Sequence, residues 1–288
     1  MRKIWRLVIG CLALAGCQTA VSVPLPTPIM PALLPATPTL QPPTSTPSPV
    51  PSDTPTLPPP SPDTGWETLS PGLERRIIRL EESGERPSEN IYLLRLEPEQ
   101  FDFRIGYRPG QPQPLAVWQA ETDAFIVLNA GFFTEEFAAT GLIVVDGTAS
   151  GVSYGDFAGM LAITDAGPDL RWLAERPYSP TESLQYALQS FPLLVKPGGA
   201  LGFPDEDGNP ARRTAVAMDG DGRFLIILTR QGNFTLHQLS RWLTDSDLGL
   251  DITLNLDGGP SSGLILADPR QEFLAFSPLP AVIIIHKK

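Results

Sequence analysis

The sequence predicts an α+β fold in a single domain, with mixed but mainly antiparallel β-sheets and a few helices. Short apolar runs of β-type residues recur along the chain, whereas helical periodicity is rare. Strands and helices also do not alternate regularly, which disfavours a doubly wound parallel sheet. Hydrophobic residues make up 42% of the 288 residues and charged residues 18%, so a substantial core can form.

Ten segments carry the β-type pattern. They are residues 76–80, 91–96, 101–107, 125–128, 142–145, 160–164, 214–218, 224–229, 252–256 and 281–285. Between two of them lies Asp219-Gly220-Asp221-Gly222, whose residues favour a tight turn. We therefore expect residues 214–218 and 224–229 to form a hairpin.

Three segments have helical periodicity, namely residues 115–122, 183–188 and 236–243. The second of these helices would be capped by Thr181 or Ser183. The third has the clearest apolar face, which is formed by Leu236, Leu239, Trp242 and Leu243.

The N-terminus has the composition of an export signal. Three basic residues lie among the first six, and a short apolar run and small residues lead to Cys17. The segment Leu-Ala-Gly-Cys at 14–17 resembles a bacterial lipoprotein box, in which Cys17 carries the lipid. We therefore expect residues 1–16 to be a lipoprotein signal peptide and the mature chain to be exported and lipid-anchored to the cell envelope. The apolar run is too short for a single-pass membrane anchor.

Residues 17–65 are expected to form a Pro/Thr-rich linker that begins with the lipidated cysteine. Sixteen of the 33 prolines fall between Val21 and Asp63. Such a segment buries too little apolar area to offset its ordering entropy, and its prolines favour extended backbone. We interpret it as a stalk that holds the following domain, residues 66–288, outward from the membrane.

The charge and the metal-ligating residues narrow the possible partners. The net charge is −11, which argues against a nucleic-acid partner because its phosphates would be repelled. Neither cysteine lies in the predicted domain and the chain has two histidines, so a metal site is not expected. Walker-type and dinucleotide-binding glycine motifs are also missing from the sequence, and we expect no cofactor.

Four segments end a β-type run with glycine and small polar or charged groups, which is the usual composition of a ligand pocket. They are 127–133 (Val-Leu-Asn-Ala-Gly-Phe-Phe), 188–195 (Leu-Gln-Ser-Phe-Pro-Leu-Leu-Val), 212–217 (Arg-Arg-Thr-Ala-Val-Ala) and 254–263 (Leu-Asn-Leu-Asp-Gly-Gly-Pro-Ser-Ser-Gly). We expect these segments to converge around one pocket.

In this order, the four segments resemble the phosphodiester glycosidase family, over about residues 90–286. The segment Asp-Gly-Gly-Pro-Ser-Ser is the most specific part of the resemblance. The resemblance implies a mixed α/β fold and the hydrolysis of a sugar-1-phosphodiester, here in envelope or extracellular glycans. The best-known member has a third glycine where this chain has Pro260, which removes one backbone donor.

A phosphodiester carries a negative charge, so this acidic domain needs a local cation. Arg213 has a planar fork of donors suited to phosphate. Because neighbouring strand residues point to opposite faces, we expect Arg213 and not Arg212 to point into the site. The backbone N–H groups of Gly258 and Gly259 could add anion donors in a nest.

Asp257 follows an apolar strand, so we expect its carboxyl to be half buried. Burial would raise its pKa and a nearby arginine would lower it. Asp257 could protonate the leaving oxygen, attack the anomeric carbon or orient water.

The remaining substrate-binding candidates are Asn129, Gly131, Gln189, Ser190, Thr214, Ser261 and Ser262. A second catalytic carboxylate would be Asp146, Asp156 or Asp219, and the sequence does not choose among them.

The sequence leaves several alternative functions and sites open. A non-catalytic surface module that binds anionic polysaccharide, or a purely structural envelope lipoprotein, would have the same sequence features. A serine triad of Ser261, Asp268 and His286 is disfavoured, because the segment after Ser261 reads as a short strand and the nucleophile elbow needs a helix there. His237 is interpreted as structural or exposed, and residues 205–209 as a solvated loop.

Overall fold

The structure is a computed structural model that describes residues 61–288. The chain divides into two units, residues 1–57 and 58–288. The predicted signal peptide, the lipidation at Cys17 and nearly all of the predicted linker lie outside the described residues. Within 61–288, neither helix has the length and apolar character required to cross a membrane.

The first of three sheets has eight strands. In spatial order they are β1 (Glu67–Ser70), β2 (Leu73–Leu80), β3 (Glu89–Leu96), β14 (Phe224–Thr229), β13 (Arg213–Asp219), β15 (Leu250–Asn255), β11 (Leu193–Lys196) and β12 (Ala200–Leu201). Every residue of β14 is buried, because this strand is central and both of its faces are covered.

The second and third sheets have five strands each. The second sheet has the order β7 (Thr148–Ser150), β6 (Ile143–Val145), β10 (Tyr186–Ser190), β8 (Gly159–Thr164) and β9 (Gly167–Trp172). The third has the order β17 (Gln271–Phe273), β16 (Leu264–Leu266), β5 (Ile126–Asn129), β18 (Ala281–Lys287) and β4 (Phe101–Tyr107).

A large apolar core joins the three sheets. It takes Leu128 and Ile283 from the third sheet, Leu188 from the second, and Val216 and Leu254 from the first. Alternate residues of the first sheet, such as Ala215 and Ala217, point to its other face. Side chains that alternate in this way give the first sheet an inner face toward the core and an outer face.

Two α-helices cover outer faces. Helix α1 (Leu115–Thr122) packs Leu115 and Trp118 on the third sheet. Helix α2 (Leu236–Asp245) covers the outer face of the first sheet with Leu239 and Leu243. It begins with a capping box, in which the Thr235 hydroxyl accepts a hydrogen bond from the backbone N–H of Gln238 and the Gln238 side chain accepts one from the backbone N–H of Thr235.

All ten predicted strands and two of the three predicted helices are present, and the predicted hairpin joins β13 to β14. Two parts of the prediction are wrong. Every strand pair of residues 61–288 is antiparallel, so the sheets are not mixed. The segment 183–188 is not a helix, because its second half belongs to β10 and pairs with β6 and β8. A six-residue apolar pattern does not distinguish the two structures.

Candidate functional site

The four glycine-containing segments meet at the ends of their strands. The backbone N–H of Asp257 donates to the carbonyl of Ala130 at 3.1 Å, which joins the end of β15 to the end of β5. The side-chain amide of Asn255 donates to the carbonyl of Phe191 at 2.9 Å, just after β10. The N–H of Leu256 donates to the carbonyl of Thr214 at 2.8 Å. The predicted convergence is therefore present in the structure.

Arg213 and Asp257 occupy facing positions at this junction. The register between β13 and β15 pairs Ala215 with Asn255. When the same register is continued by two residues, Arg213 lies opposite Asp257, and facing residues of an antiparallel pair project to the same face. A Cβ atom placed on Gly258 would lie 3.7 Å from the Arg213 Nη1 atom, so the guanidinium reaches the residue after Asp257.

The Asp257 carboxyl is partly withdrawn from water. Burial raises the pKa of Asp257 above its ordinary value of 3.8, while hydrogen bonds from Ser261 and from the backbone N–H of Gly258 work in the opposite direction. The Gly258 N–H lies 2.9 Å from the Asp257 Oδ1 atom. Arg213 does not form an ion pair with Asp257, so burial prevails over the charge effect that the sequence left open.

Arg213 is a buried cation with incomplete compensation. Its side chain donates to the carbonyl of Asn209 at 2.5 Å and lies 3.9 Å from the Asp207 carboxylate. Its Nε atom is buried and has no hydrogen-bond partner among residues 61–288. Burial lowers the pKa of Arg213, and Asp207 opposes this effect. Arginine nevertheless stays charged at neutral pH, so an anionic ligand would satisfy this group.

Arg212 points elsewhere, as the strand alternation predicts. Its guanidinium donates to the carbonyl of Ser262 at 2.8 Å and to that of Leu274 at 3.1 Å. The two arginines therefore flank opposite sides of the loop after β15, and Arg212 fixes the position of that loop.

The predicted anion nest is not formed. The N–H of Gly258 donates to the Asp257 carboxylate, and the N–H of Gly259 donates to the carbonyl of Arg212 at 2.8 Å. Gly259, Pro260 and Ser261 form a 3-10 turn, and the carbonyl of exposed Pro260 accepts hydrogen bonds from the backbone of residues 276 and 277. Both glycine donors are thus used inside the protein.

Hydroxyl groups are the polar groups left available at the junction. Ser190, Thr214 and Ser262 are fully buried, and their hydroxyl oxygens have no partner within the described residues. Ser261 is 5% exposed and interacts with the Asp257 carboxyl. Thr214 alternates with Arg213 on β13 and projects to the inner face with Val216, so the structure does not support its predicted place beside Arg213. Buried polar groups usually have a partner, so the hydroxyls of Ser190 and Ser262 are suited to a ligand.

Two predicted substrate-binding amides instead hold protein segments in place. The Asn129 amide donates to the carbonyl of Asp257 at 2.7 Å and accepts from the N–H of Gly263 at 3.1 Å. The Gln189 side chain accepts from the N–H of Tyr154 at 2.7 Å and donates to the Ser153 hydroxyl at 2.9 Å. Their amide groups therefore organise the loops around the site.

Gly131 is required by close packing. A Cβ atom at this position would lie 2.9 Å from the carbonyl oxygen of Gln189 and 3.6 Å from the Ser190 hydroxyl. Such an approach to backbone is too close for any side chain. The glycine thus lets the end of β5 touch the end of β10.

Within residues 61–288, Arg213 forms no ion pair with any of the three proposed second carboxylates. Asp219 is at the other end of β13, about 20 Å along the strand, and binds Arg223. Asp146 accepts a hydrogen bond from the Tyr186 hydroxyl, and the Asp156 side chain is exposed. The carboxylate that lies beside Arg213 is Asp207. Residues 205, 206, 208 and 209 are exposed, as expected for a solvated loop, and Asp207 and the Asn209 carbonyl also contact Arg213.

The serine triad remains disfavoured. Val282 of β18 pairs with Asn129, and His286 lies four residues further along the strand, about 13 Å away. The His286 Nε2 atom is 2.8 Å from the carbonyl of Thr122, next to α1. His237 is structural, since its Nδ1 atom lies 3.1 Å from the carbonyl of Phe203. Residues 61–288 contain no cluster of His, Cys, Asp or Glu suited to a metal ion.

Sequence reasoning missed two buried residues near the site. The Glu89 carboxylate is fully buried and accepts hydrogen bonds from the backbone N–H groups of residue 90 and residues 230–233. This loop packs on Arg212, because a Cβ atom at Gly232 would lie 2.9 Å from the Arg212 nitrogen. The Asn255 Oδ1 atom is also buried without a partner among the described residues, on the face that Arg213 shares. Single polar residues within apolar strands give little sequence signal.

Fold and site together define a β-rich protein with a buried polar site, where a carboxyl faces an arginine. The family model for phosphodiester glycosidases matches residues 122–286, which is more than half of the chain. The chain therefore belongs to the phosphodiester glycosidase family, and the resemblance found in its sequence is confirmed. No curated protein sequence matches the chain.

Solved structures with a similar fold include the catalytic domain of zebrafish N-acetylglucosamine-1-phosphodiester alpha-N-acetylglucosaminidase, auto-inhibited by its pro-peptide. The TM-score is 0.60 at 18% identity, over 77% of this chain and 86% of that one. A protein from Synechocystis has a TM-score of 0.56 at 13% identity, over 77% and 63% of the two chains. A protein from Burkholderia pseudomallei K96243 has a TM-score of 0.51 at 12% identity, over 69% and 74%. At these identities the likeness establishes the fold.

Proposed function

We propose that this protein is a hydrolase that cleaves sugar-1-phosphodiester linkages in envelope or extracellular glycans. The observation that carries the proposal is that a buried, incompletely compensated Arg213 and a half-buried Asp257 lie opposite each other when the register of β13 and β15 is continued past their ends. Membership of the phosphodiester glycosidase family supports the same reaction class.

Arg213 would bind the phosphate. Its Nε atom has no hydrogen-bond partner among residues 61–288, and a bidentate contact to two phosphate oxygens would use Nε together with one terminal nitrogen. Because the group is buried, the attraction is screened less than at a surface. Asp207 and Asn209 hold the guanidinium in place from the other side.

Asp257 would transfer the proton. Hydrolysis places the hydroxyl of water on one side of the cleaved linkage and a proton on the other. A carboxyl whose pKa is raised by burial holds its proton closer to neutral pH, which favours the role of acid over that of nucleophile. The hydroxyls of Ser190, Ser261 and Ser262 would position the substrate.

We also propose that the chain is a lipoprotein, with residues 1–16 as the signal, Cys17 as the lipid attachment site and residues 17–65 as the linker. This arrangement would place the domain of residues 66–288 outside the membrane, next to glycan substrates. Metabolic labelling tests this assignment, with the chain expressed and exported in its native host in the presence of labelled palmitate. We expect label in the wild-type chain and none in Cys17→Ala, and equal labelling of both would contradict the assignment.

A substrate panel tests the enzymatic proposal. It compares sugar-1-phosphodiesters, simple glycosides and carboxylic esters with the full chain and with Asp257→Asn. We expect turnover of phosphodiesters alone, which the substitution abolishes while the fold is retained. Saturable binding of an anionic polysaccharide without any turnover would replace this proposal with the alternative, a non-catalytic binding module.

A further inference from the structure

A cluster of four aromatic rings lies beside the candidate site. Phe191 is at its centre, with ring centroids 4.6 Å from Phe132, 5.3 Å from Tyr154 and 5.5 Å from Phe157. Phe157 is 56% exposed although it packs against two rings of the cluster. An aromatic ring this open, on a cluster this well packed, offers a rigid apolar surface to a ligand.

The cluster forms one wall of a groove of about 410 Å³. Its lining includes Phe157, Trp172, Phe191, Lys196, Phe203 and Leu236. Its volume lies within the range of small-molecule sites. The lining includes one cation, Lys196. Its ammonium lies 4.8 Å from the centroid of the Trp172 ring and forms a cation–π contact with it. The Trp172 ring is itself fixed by a 2.7 Å hydrogen bond to the carbonyl of Asp156.

The groove and the candidate site share a wall and a face. Phe191 lines the groove, and its carbonyl accepts the Asn255 amide, two residues before Asp257. Phe203 and Leu236 pack on the outer face of the first sheet, toward which Arg213 projects in register with Ala215. Part of the groove lining and Arg213 therefore lie on the same side of the first sheet.

We propose that this groove binds a second sugar unit, the neighbour of the sugar that carries the cleaved linkage. The substrate would then be an extended glycan and not a single-sugar phosphodiester. The proposal deepens the proposed function and rests on it for the position of the linkage. The sugar would lie with its C–H face on the Phe157 ring, whose electron-rich face attracts polarised C–H groups. Its outward hydroxyls would stay in water, and Lys196 would contact an oxygen at the far end.

The composition of the groove favours this occupant over a lipid chain. The groove is open to solvent on the Phe157 side and includes the Lys196 ammonium, whereas an acyl chain gains most from a closed, uncharged cavity. The Lys196 ammonium is a hydrogen-bond donor in the groove lining and can donate to the hydroxyl oxygens of a sugar.

Binding of neutral tetrasaccharides tests the groove without requiring turnover. The probes are tetrasaccharides of glucose, mannose, galactose and N-acetylglucosamine, titrated into the full-length chain by calorimetry and by tryptophan fluorescence. We expect at least one to bind saturably. Phe157→Ala should weaken that binding roughly two- to tenfold, as expected for the loss of one aromatic contact. Val117→Ala, on α1, is the control and should bind as the wild type does.

Trp172→Phe should reduce the fluorescence response while calorimetric binding remains. Absence of saturable binding by all four probes, or unchanged affinity of Phe157→Ala, would overturn the proposal. A synthetic peptide of residues 24–60 is the competing occupant, since proline-rich segments also dock in aromatic grooves. Peptide binding that requires Phe157, with no saccharide binding, would assign the groove to the chain itself.

The two proposals fail separately. Saccharide binding without hydrolysis of any phosphodiester would keep the groove and remove the enzymatic function. With hydrolysis, Phe157→Ala should raise KM for extended phosphodiester glycans and leave KM for a single-sugar phosphodiester unchanged. An equal change for both substrates would contradict a role in binding the neighbouring sugar.

Discussion

Arg213 and Asp257 face each other across the ends of β13 and β15, two residues beyond the pair Ala215 and Asn255. The two groups are not joined in an ion pair, since the carboxylate within reach of Arg213 is Asp207 at 3.9 Å. A cation and a carboxyl that lie on one face without pairing with each other could both contact one ligand.

Arg213→Lys should weaken phosphodiester recognition while retaining the charge, because lysine lacks the planar fork. Loss of one charge-assisted hydrogen bond, about 1.5–3 kcal/mol, corresponds to a roughly 10- to 100-fold fall in kcat/KM. Arg104→Lys, at an exposed position of β4, is the control and should have no effect. An equal loss on a neutral glycoside would contradict a phosphate role for Arg213.

Asp257→Asn should change how stability depends on pH. The pKa of Asp257 is raised in the folded state, so its contribution is fully present below the ordinary value of 3.8 and is lost as pH rises through the folded pKa. The neutral amide avoids that loss. We therefore expect the variant to be as stable as the wild type or more stable at pH 7, with no gain near pH 3.

Thermal unfolding from pH 3 to pH 8 measures this difference. Asp165→Asn changes an exposed turn residue and should shift Tm equally little at every pH. If Asp257→Asn were clearly less stable at pH 7 than at pH 3 relative to the wild type, burial would not be the dominant influence on this carboxyl.

Glu89→Gln should strongly destabilise the domain. The buried carboxylate accepts five backbone N–H groups, and the neutral amide replaces one of its acceptor oxygens with a donor. We expect a loss of about 2–5 kcal/mol in the free energy of unfolding, measured with urea. Glu67→Gln, which removes an exposed ion pair with Arg75, should cost at most about 1 kcal/mol. Similar costs for both would show that the Glu89 contacts contribute little.

Gly131→Ala should separate the ends of β5 and β10. The added methyl group would lie 2.9 Å from the Gln189 carbonyl oxygen, so the backbone has to move. We expect a loss of activity of tenfold or more, since small displacements of catalytic groups are costly. Gly220→Ala, with its nearest neighbour atom 3.8 Å away, is the matched control. Full activity of Gly131→Ala would mean that this contact does not position the site.

Much of the fold is local in origin, which is why the sequence predicts it. Every β-type segment predicted from apolar runs is a strand, and the capping residues of α2 mark where that helix begins. The error at 183–188 has a physical reason. Apolar residues at 184, 187 and 188 satisfy a helical spacing, and only pairing with β6 and β8 makes the second half of this segment a strand.

The candidate site was likewise predictable in part from the sequence. Glycine and small polar residues at strand ends identified the four segments. The charge of a phosphodiester pointed to Arg213, and the position of Asp257 after an apolar strand pointed to that carboxyl. The partners of each side chain depend on segments far apart in sequence. Asn129 holds the loop after β15, Asp207 lies beside Arg213, and Glu89 holds the loop that supports Arg212.

The sequence by itself determined ten of the strands, which four segments carry ligand-type residues, and which family the chain resembles, since these follow from residue type and spacing along the chain. Tertiary structure alone decided that burial raises the pKa of Asp257, that the glycine N–H groups are already used, and that Phe191 links the site to an aromatic groove. Those properties depend on distance and solvent access between residues that are remote in sequence, and neither quantity is set before the sheets pack together.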